Sequence, residues 1–262
     1  MKPEPSQAPA FFSDTAVIAA LRSIVTYITV TLYVALVGPP LLLLAAITGN
    51  PRPLYYGGLL GVRLGLALSG IRVSVKGAEQ VRPDRAAVYA VNHASNVEPP
   101  ILFSALSPLF PSLRILYKAE LRKLPILTRA FDVAGFVPLQ RGNRDQSLPA
   151  IERAAAALRD GNSFLIFPEG TRSRTGQLLP FKKGGFVMAL KAQAPIVPVA
   201  IKGARAAMRK GSPWIQPVHI EVVFGEPIPT TGLSLDDRDG LVAAVRGEVE
   251  RLLSDRSDEV LR

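Results

Sequence analysis

The chain has no cysteine, and of its 262 residues only two are histidine, three methionine and one tryptophan. Without cysteine there is no disulfide scaffold, thiolate metal site or cysteine nucleophile, and nothing in the chain demands an oxidising compartment. With only His93 and His219, a histidine-rich metal centre is not expected, and no metal or cofactor is called for. Acidic residues are also in the minority, 21 against 31 Lys and Arg, a net charge of +10. That balance favours polyanions: nucleic acid, anionic lipid surfaces or phosphorylated substrates. There is no aromatic stacking stripe and no recognised reader motif, which argues against nucleic acid.

What is abundant is apolar surface. The hydrophobic share is 48% and the mean hydropathy +0.24, with the excess near the N-terminus. Residues 1–14 are polar and proline-bearing, lack the pattern of a cleaved secretory signal, and read as a retained tail. Residues 24–48 then run without a charge. Pro39 and Pro40 interrupt this run, so a bend is expected there. Residues 24–37 alone would rise only about 21 Å, short of a hydrocarbon core of about 30 Å, which suits a monotopic hairpin entering one leaflet from the cytoplasmic side. A kinked full span is the alternative. Residues 54–69 carry Arg63 inside an apolar stretch and read as an interfacial helix docked on the rest of the chain. Residues 1–70 are therefore taken as tail and membrane-associated helices, and 71–262 as a catalytic domain.

After Gly70, short apolar runs alternate with helical stretches. Strands are expected at 71–75, 86–91, 114–117, 135–139, 163–167, 196–201 and 219–224. A helix is expected over 148–159, with Ser147 as N-cap and Gly161 past its end, and another to about residue 253, opened by a capping box of Ser234 and Asp237. The fold class is α/β, a mixed sheet covered by helices.

Two segments carry chemistry. The first closes an apolar strand with Asn92 and His93, and Glu98 follows five residues on. Imidazole takes a proton near neutrality, and a carboxylate on its other nitrogen would fix the tautomer. Alone, the segment reads more readily as a turn with a capping Asn96 and a surface Glu98. The second is Phe167-Pro168-Glu169-Gly170-Thr171-Arg172, at the end of another buried strand. Arg172 can grip a phosphate bidentately and Gly170 lets backbone amides approach it. Alone, this is also an ordinary solvated basic turn.

Together the two segments resemble the glycerolipid acyltransferase family, and within it the 1-acylglycerol-3-phosphate acyltransferases, where an Asn-His block with a downstream acid precedes a Phe-Pro-Glu-Gly-Thr-Arg block. Two weaker family blocks follow the same order: Lys118 through Gly135 to Arg141, and Val197-Pro198-Val199-Ala200. The resemblance implies His93 as general base and Glu98 as its orienting partner. It implies Glu169, Gly170, Thr171 and Arg172 as the acceptor's phosphate site, with Lys118 and Arg141 adding positive charge. The family usually has Asp where this chain has Glu98, one methylene longer. The implied reaction moves a fatty acyl group from acyl-CoA or acyl carrier protein to the sn-2 hydroxyl of lysophosphatidic acid, at a phospholipid membrane and without a covalent acyl-enzyme. Glycerol 3-phosphate, another lysophospholipid or a lyso-aminolipid is the alternative acceptor. A phosphate hydrolase or a non-catalytic basic membrane-binding protein is the alternative of another class. Lys182, Lys183, Arg205, Arg209 and Lys210 are candidates for the approach of an acidic donor, and His219 reads as structural.

Overall fold

The computed structural model describes residues 14–123, 125–140 and 144–255, so residues 1–13 of the N-terminal tail and Arg141 lie outside the described residues. Helix α1 (Asp14–Thr48) and helix α2 (Arg52–Ser69) pair as a helical hairpin. The bend expected at Pro39 and Pro40 does not end α1, which runs through both prolines. Proline's φ is already helical; what it removes is a backbone donor, and the apolar Leu41, Leu42, Leu43 and Leu44 carry the helix on. As one helix, α1 is roughly 52 Å long. Within it, residues 17–48 are long and apolar enough to cross a membrane, and little of that stretch is buried against protein.

Helix α2 docks on the domain through Tyr55, which is 2% exposed and whose hydroxyl donates to the carbonyls of Leu113 and Ala134. Helix α1 is tied down near its start: the amide of Ile215 donates to Ser23 Oγ at 2.8 Å, and Tyr27 donates to the Pro213 carbonyl at 2.6 Å.

Seven strands follow: β1 (Arg72–Lys76), β2 (Val88–Val91), β3 (Leu113–Lys118), β4 (Val137–Leu139), β5 (Ser163–Ile166), β6 (Ile196–Lys202) and β7 (His219–Phe224). They form one mixed sheet in the order β1-β7-β6-β2-β5-β3-β4, parallel except where β6 meets β7. All seven expected strands are present, with ends shifted by one or two residues.

Strand β2 lies at the middle of the sheet and its four residues have no exposure. Tyr89 and Val91 enter one core, with Ile101 and Leu102 of helix α3 (Glu98–Ala105); Val88 and Ala90 enter the other. The second core is covered by α5 (Arg144–Arg159), α6 (Gly184–Ala192) and α8 (Arg238–Ser254), through Ala154, Phe186 and Val245. A strand buried on both faces needs apolar residues at successive positions rather than alternation, as β2 has. The remaining helices are α4 (Pro125–Val133) and the single turn α7 (Ala204–Ala207).

Two helix starts differ from expectation. Ser147 does not cap α5; it lies inside the helix, and its hydroxyl donates to the Gln140 carbonyl at 2.5 Å. Ser234 and Asp237 do hydrogen-bond to each other, the amide and hydroxyl of Ser234 donating to Oδ2 of Asp237 at 2.7 and 2.9 Å, but in the turn before α8, whose N-cap is Asp237. Gly161 closes α5 as expected, at φ +87°.

Candidate active site

Strands β2 and β5 are parallel neighbours, with Ala90 opposite Ile166, so the loops leaving their C-terminal ends emerge side by side. This is where an open α/β sheet presents a site. The β2 loop carries His93, and the β5 loop begins with Phe167 and runs to Arg172. Asn92 anchors the first loop to β6: its side-chain amide donates to the Ile201 carbonyl at 3.1 Å and its oxygen accepts from the Ile201 amide at 2.8 Å.

His93 Nδ1 and Glu98 Oε2 are 2.6 Å apart. Glu98 is the first residue of α3 and is completely buried, so it is not the surface residue that the turn reading allowed. Its two oxygens also accept from the Ala94 amide at 2.9 and 3.0 Å. Burial pushes the Glu98 carboxyl above the usual carboxylate range, while the hydrogen bond from His93 and the backbone amides act the other way. With Glu98 ionised, Nδ1 carries the proton and donates to it, and Nε2 is left as the acceptor. The imidazole stacks on Phe167, ring centroids 4.1 Å apart.

The second loop is locked to the first. The His93 amide donates to Glu169 Oε1 at 2.6 Å, the Leu179 amide donates to Glu169 Oε2 at 3.0 Å, and the Ser173 amide donates to the His93 carbonyl at 2.7 Å. Glu169 is 3% exposed and burial raises its carboxyl, against the two backbone donors. Its carboxylate faces inward and braces the two loops, each oxygen accepting a backbone N–H bond.

Gly170 sits at φ +68°, where a Cβ would lie 2.9 Å from the side chain of Lys182. Thr171 is exposed and Arg172 half-buried. Among the described residues the Arg172 guanidinium makes no ion pair and no side-chain hydrogen bond. Lys210 joins this loop from far along the chain, its Nζ donating to the Arg172 carbonyl at 3.0 Å and lying 3.4 Å from Thr171 Oγ1. Lys118, at the end of β3, is half-exposed and paired with Glu120 at 3.2 Å. Lys183 is paired with Asp239 at 2.8 Å, and Arg205 donates to the Arg174 carbonyl at 3.1 Å.

His93, Phe167 and Lys118 all line one apolar cavity of about 660 Å³, walled also by Tyr55, Phe103 and Phe131. Sequence reasoning missed Phe167 as a partner of His93, the cavity itself, and Lys210 as part of the Arg172 loop. No local signal marks them, because each depends on chain segments that meet only in the fold. The amides of His93 and Ala94 are occupied by carboxylates and are not free to stabilise an oxyanion. Among the described residues no cluster of three or more His, Asp or Glu is arranged to hold a metal ion.

The sequence profile of the family described as Acyltransferase matches residues 72–202, half of the chain and all of the elements just described from β1 to β6. The chain belongs to the acyltransferase family. Among relatives in this family, a 1-acyl-sn-glycerol-3-phosphate acyltransferase of Limnanthes douglasii is 33% identical over 191 residues, 72% of this chain and 66% of the relative. The human 1-acyl-sn-glycerol-3-phosphate acyltransferase alpha is 31% identical over 180 residues, 68% of this chain and 62% of its own. The matched region thus spans somewhat less than two thirds of these relatives' length. The crystal structure of the 1-acyl-sn-glycerophosphate (LPA) acyltransferase PlsC from Thermotoga maritima superposes with a TM-score of 0.79 at 25% identity, covering 94% of this chain and 99% of that one. The likeness to that structure therefore includes the N-terminal helices as well as the sheet.

Proposed function

We propose that this acyltransferase moves a fatty acyl group from acyl-CoA or acyl carrier protein to the sn-2 hydroxyl of 1-acylglycerol 3-phosphate, giving phosphatidic acid. The observation that carries the reading is His93, paired with the buried Glu98, at the wall of a large apolar cavity. The cavity suits the acyl chain of the thioester, and the imidazole suits the proton of the attacking alcohol.

In this reaction His93 Nε2 takes the hydroxyl proton as the acceptor oxygen attacks the thioester carbonyl. The tetrahedral intermediate collapses with cleavage of the carbon–sulfur bond, and the imidazolium returns the proton to the leaving thiolate. Glu98 holds the productive tautomer and stabilises the imidazolium. Arg172, with Thr171, Gly170 and Lys210 around it, receives the acceptor's phosphate, and Lys118 adds positive charge. Arg141 would contribute by the same chemistry, although it lies outside the described residues. No metal or cofactor takes part.

The α1–α2 hairpin belongs to a phospholipid membrane on this reading. Support comes from the exposed apolar side chains of α1, among them Leu21, Ile28, Leu32, Leu36, Leu43 and Ile47. Such a surface on one helix is far larger than a water-facing protein tolerates. The net positive charge favours the anionic cytoplasmic leaflet and the cytoplasmic side for the catalytic domain.

The test is transfer from labelled acyl-CoA and acyl carrier protein to lysophosphatidic acid, glycerol 3-phosphate and other lysolipids in detergent, wild type against His93→Ala. Acylation of lysophosphatidic acid that disappears in His93→Ala is the expected result. Transfer by the variant at the wild-type rate would remove His93 from the chemistry, and faster transfer to another acceptor would replace the substrate.

A further inference from the structure

A second apolar cavity, about 490 Å³, lies between α1 and α2 and under the 208–215 loop. It is walled by Thr26 and Val30 of α1, by Gly61 and Gly65 of α2, and by Asn96 and Val97 of the segment that joins His93 to Glu98. Val62 and Pro100 line both this groove and the larger cavity that holds His93, so the two are separated by a wall of those side chains.

We propose that this groove holds the acyl chain that the acceptor lipid already carries, with the Thr26 hydroxyl donating to the ester carbonyl at the head of that chain. The inference rests on the acyl-transfer reading above. The product of that reaction bears two chains on adjacent glycerol carbons, so the two chains leave the reacting centre side by side and need separate apolar channels that begin together. Two cavities that share a wall of Val62 and Pro100, one of them lined by His93, have that arrangement.

Thr26 supplies the independent observation. It is 6% exposed, and its Oγ1 is buried without a hydrogen-bond partner among the described residues. Two other hydroxyls of α1 are paired: Ser23 donates to the Ala19 carbonyl at 2.7 Å and Thr48 to the Leu44 carbonyl at 2.8 Å, each one turn back. A buried hydroxyl left unpaired is unfavourable and rare, and here it faces an apolar groove. A lysolipid's ester carbonyl is the hydrogen-bond acceptor that an otherwise hydrocarbon chain brings with it. Asn96, which also lines the groove, is exposed and has no hydrogen bond of its own among the described residues, a further polar group for the glycerol backbone.

The experiment uses the full chain in detergent with one acyl-CoA donor and three acceptors: 1-oleoyl lysophosphatidic acid, its 1-O-alkyl ether analogue, and 1-butyryl lysophosphatidic acid. Thr26→Val keeps the shape and removes only the hydroxyl. It is expected to lower kcat/KM about fivefold for the ester acceptor and to leave the ether analogue unchanged. Val30→Trp fills the groove and is expected to raise KM about tenfold for the oleoyl acceptor, with the butyryl acceptor and the donor chain-length preference unchanged. Equal effects of Thr26→Val on ester and ether acceptors, or none, overturn the assignment of the hydroxyl. A shift in donor preference with Val30→Trp gives the groove to the donor, and no dependence on acceptor length gives it to bilayer lipid; either result overturns the proposal. Wild type that acylates none of the three acceptors is the distinct outcome in which the acyl-transfer reading itself fails.

Discussion

Replacing Glu98 by Asp, the residue usual at this position in the family, should weaken this enzyme. Glu98 is the first residue of α3, followed by Pro99 and Pro100, whose φ angles are fixed, and by Ile101 and Leu102, which have no exposure. The backbone there is clamped, so a shorter side chain cannot be compensated by sliding the helix. Removing one methylene withdraws the carboxylate by about 1.5 Å. The bond to His93 Nδ1, now 2.6 Å, then exceeds hydrogen-bonding distance, and those to the Ala94 amide lengthen similarly. A hydrogen bond to a charged group contributes about 1.5–3 kcal/mol. If that contribution is realised in the transition state, where the imidazole becomes an imidazolium, kcat falls about 10- to 150-fold. The assay is kcat for lysophosphatidic acid at saturating acyl-CoA, with the thermal midpoint measured alongside to confirm a folded variant. Glu98→Gln should fall further, because the imidazolium loses its counter-charge; the comparable change in the serine-protease triad costs about 10⁴. Glu98→Asp with activity within twofold of wild type would refute the clamped-backbone argument, since the loop would then have moved to restore the contact.

Three other outcomes follow from the same geometry. Burial raises both Glu98 and Glu169, so the folded protein binds their protons more tightly than the unfolded chain does; this contribution is complete below the ordinary glutamate value of about 4.3 and is lost as pH rises through the raised folded values. Glu169→Gln, which leaves one of the His93 and Leu179 amides facing an NH₂ group, should cost about 1–3 kcal/mol near neutrality and show a flatter fall in stability with rising pH, read from denaturant midpoints across pH. Arg172→Lys keeps the charge but loses the planar fork, and should raise KM for lysophosphatidic acid about tenfold with a smaller change in kcat; an unchanged KM would take Arg172 out of the phosphate site. Ala130→Phe adds bulk to the wall of the His93 cavity and should shift donor preference toward shorter acyl chains, checked by competition between acyl-CoAs of different length.

The strands were legible because burial on both faces forces continuous apolar runs, and 163–167 and 196–201 carry that mark without reference to anything distant. His93 and Glu98 were legible too, since five residues of chain carry both groups and the contact is local. The continuity of α1 was not, because a pair of prolines argues locally for a bend, while the apolar turns on either side carry one helix through both. Glu169 reads as one more member of a phosphate-binding motif until the β2 and β5 loops are placed side by side; only then does its carboxylate meet the His93 amide and turn inward.

By itself, then, the sequence determined which segments are strands, which stretch is apolar enough for a membrane, and which base and acid stand together, because each of these depends on residues within a few positions of one another. Only the tertiary structure decided that Phe167 stacks on His93, that Lys210 reaches the Arg172 loop, and that the His93 cavity shares a wall with a second one. Those contacts join residues that the order of strands in the sheet brings together, and strand order is settled by packing across the whole domain rather than by any local pattern.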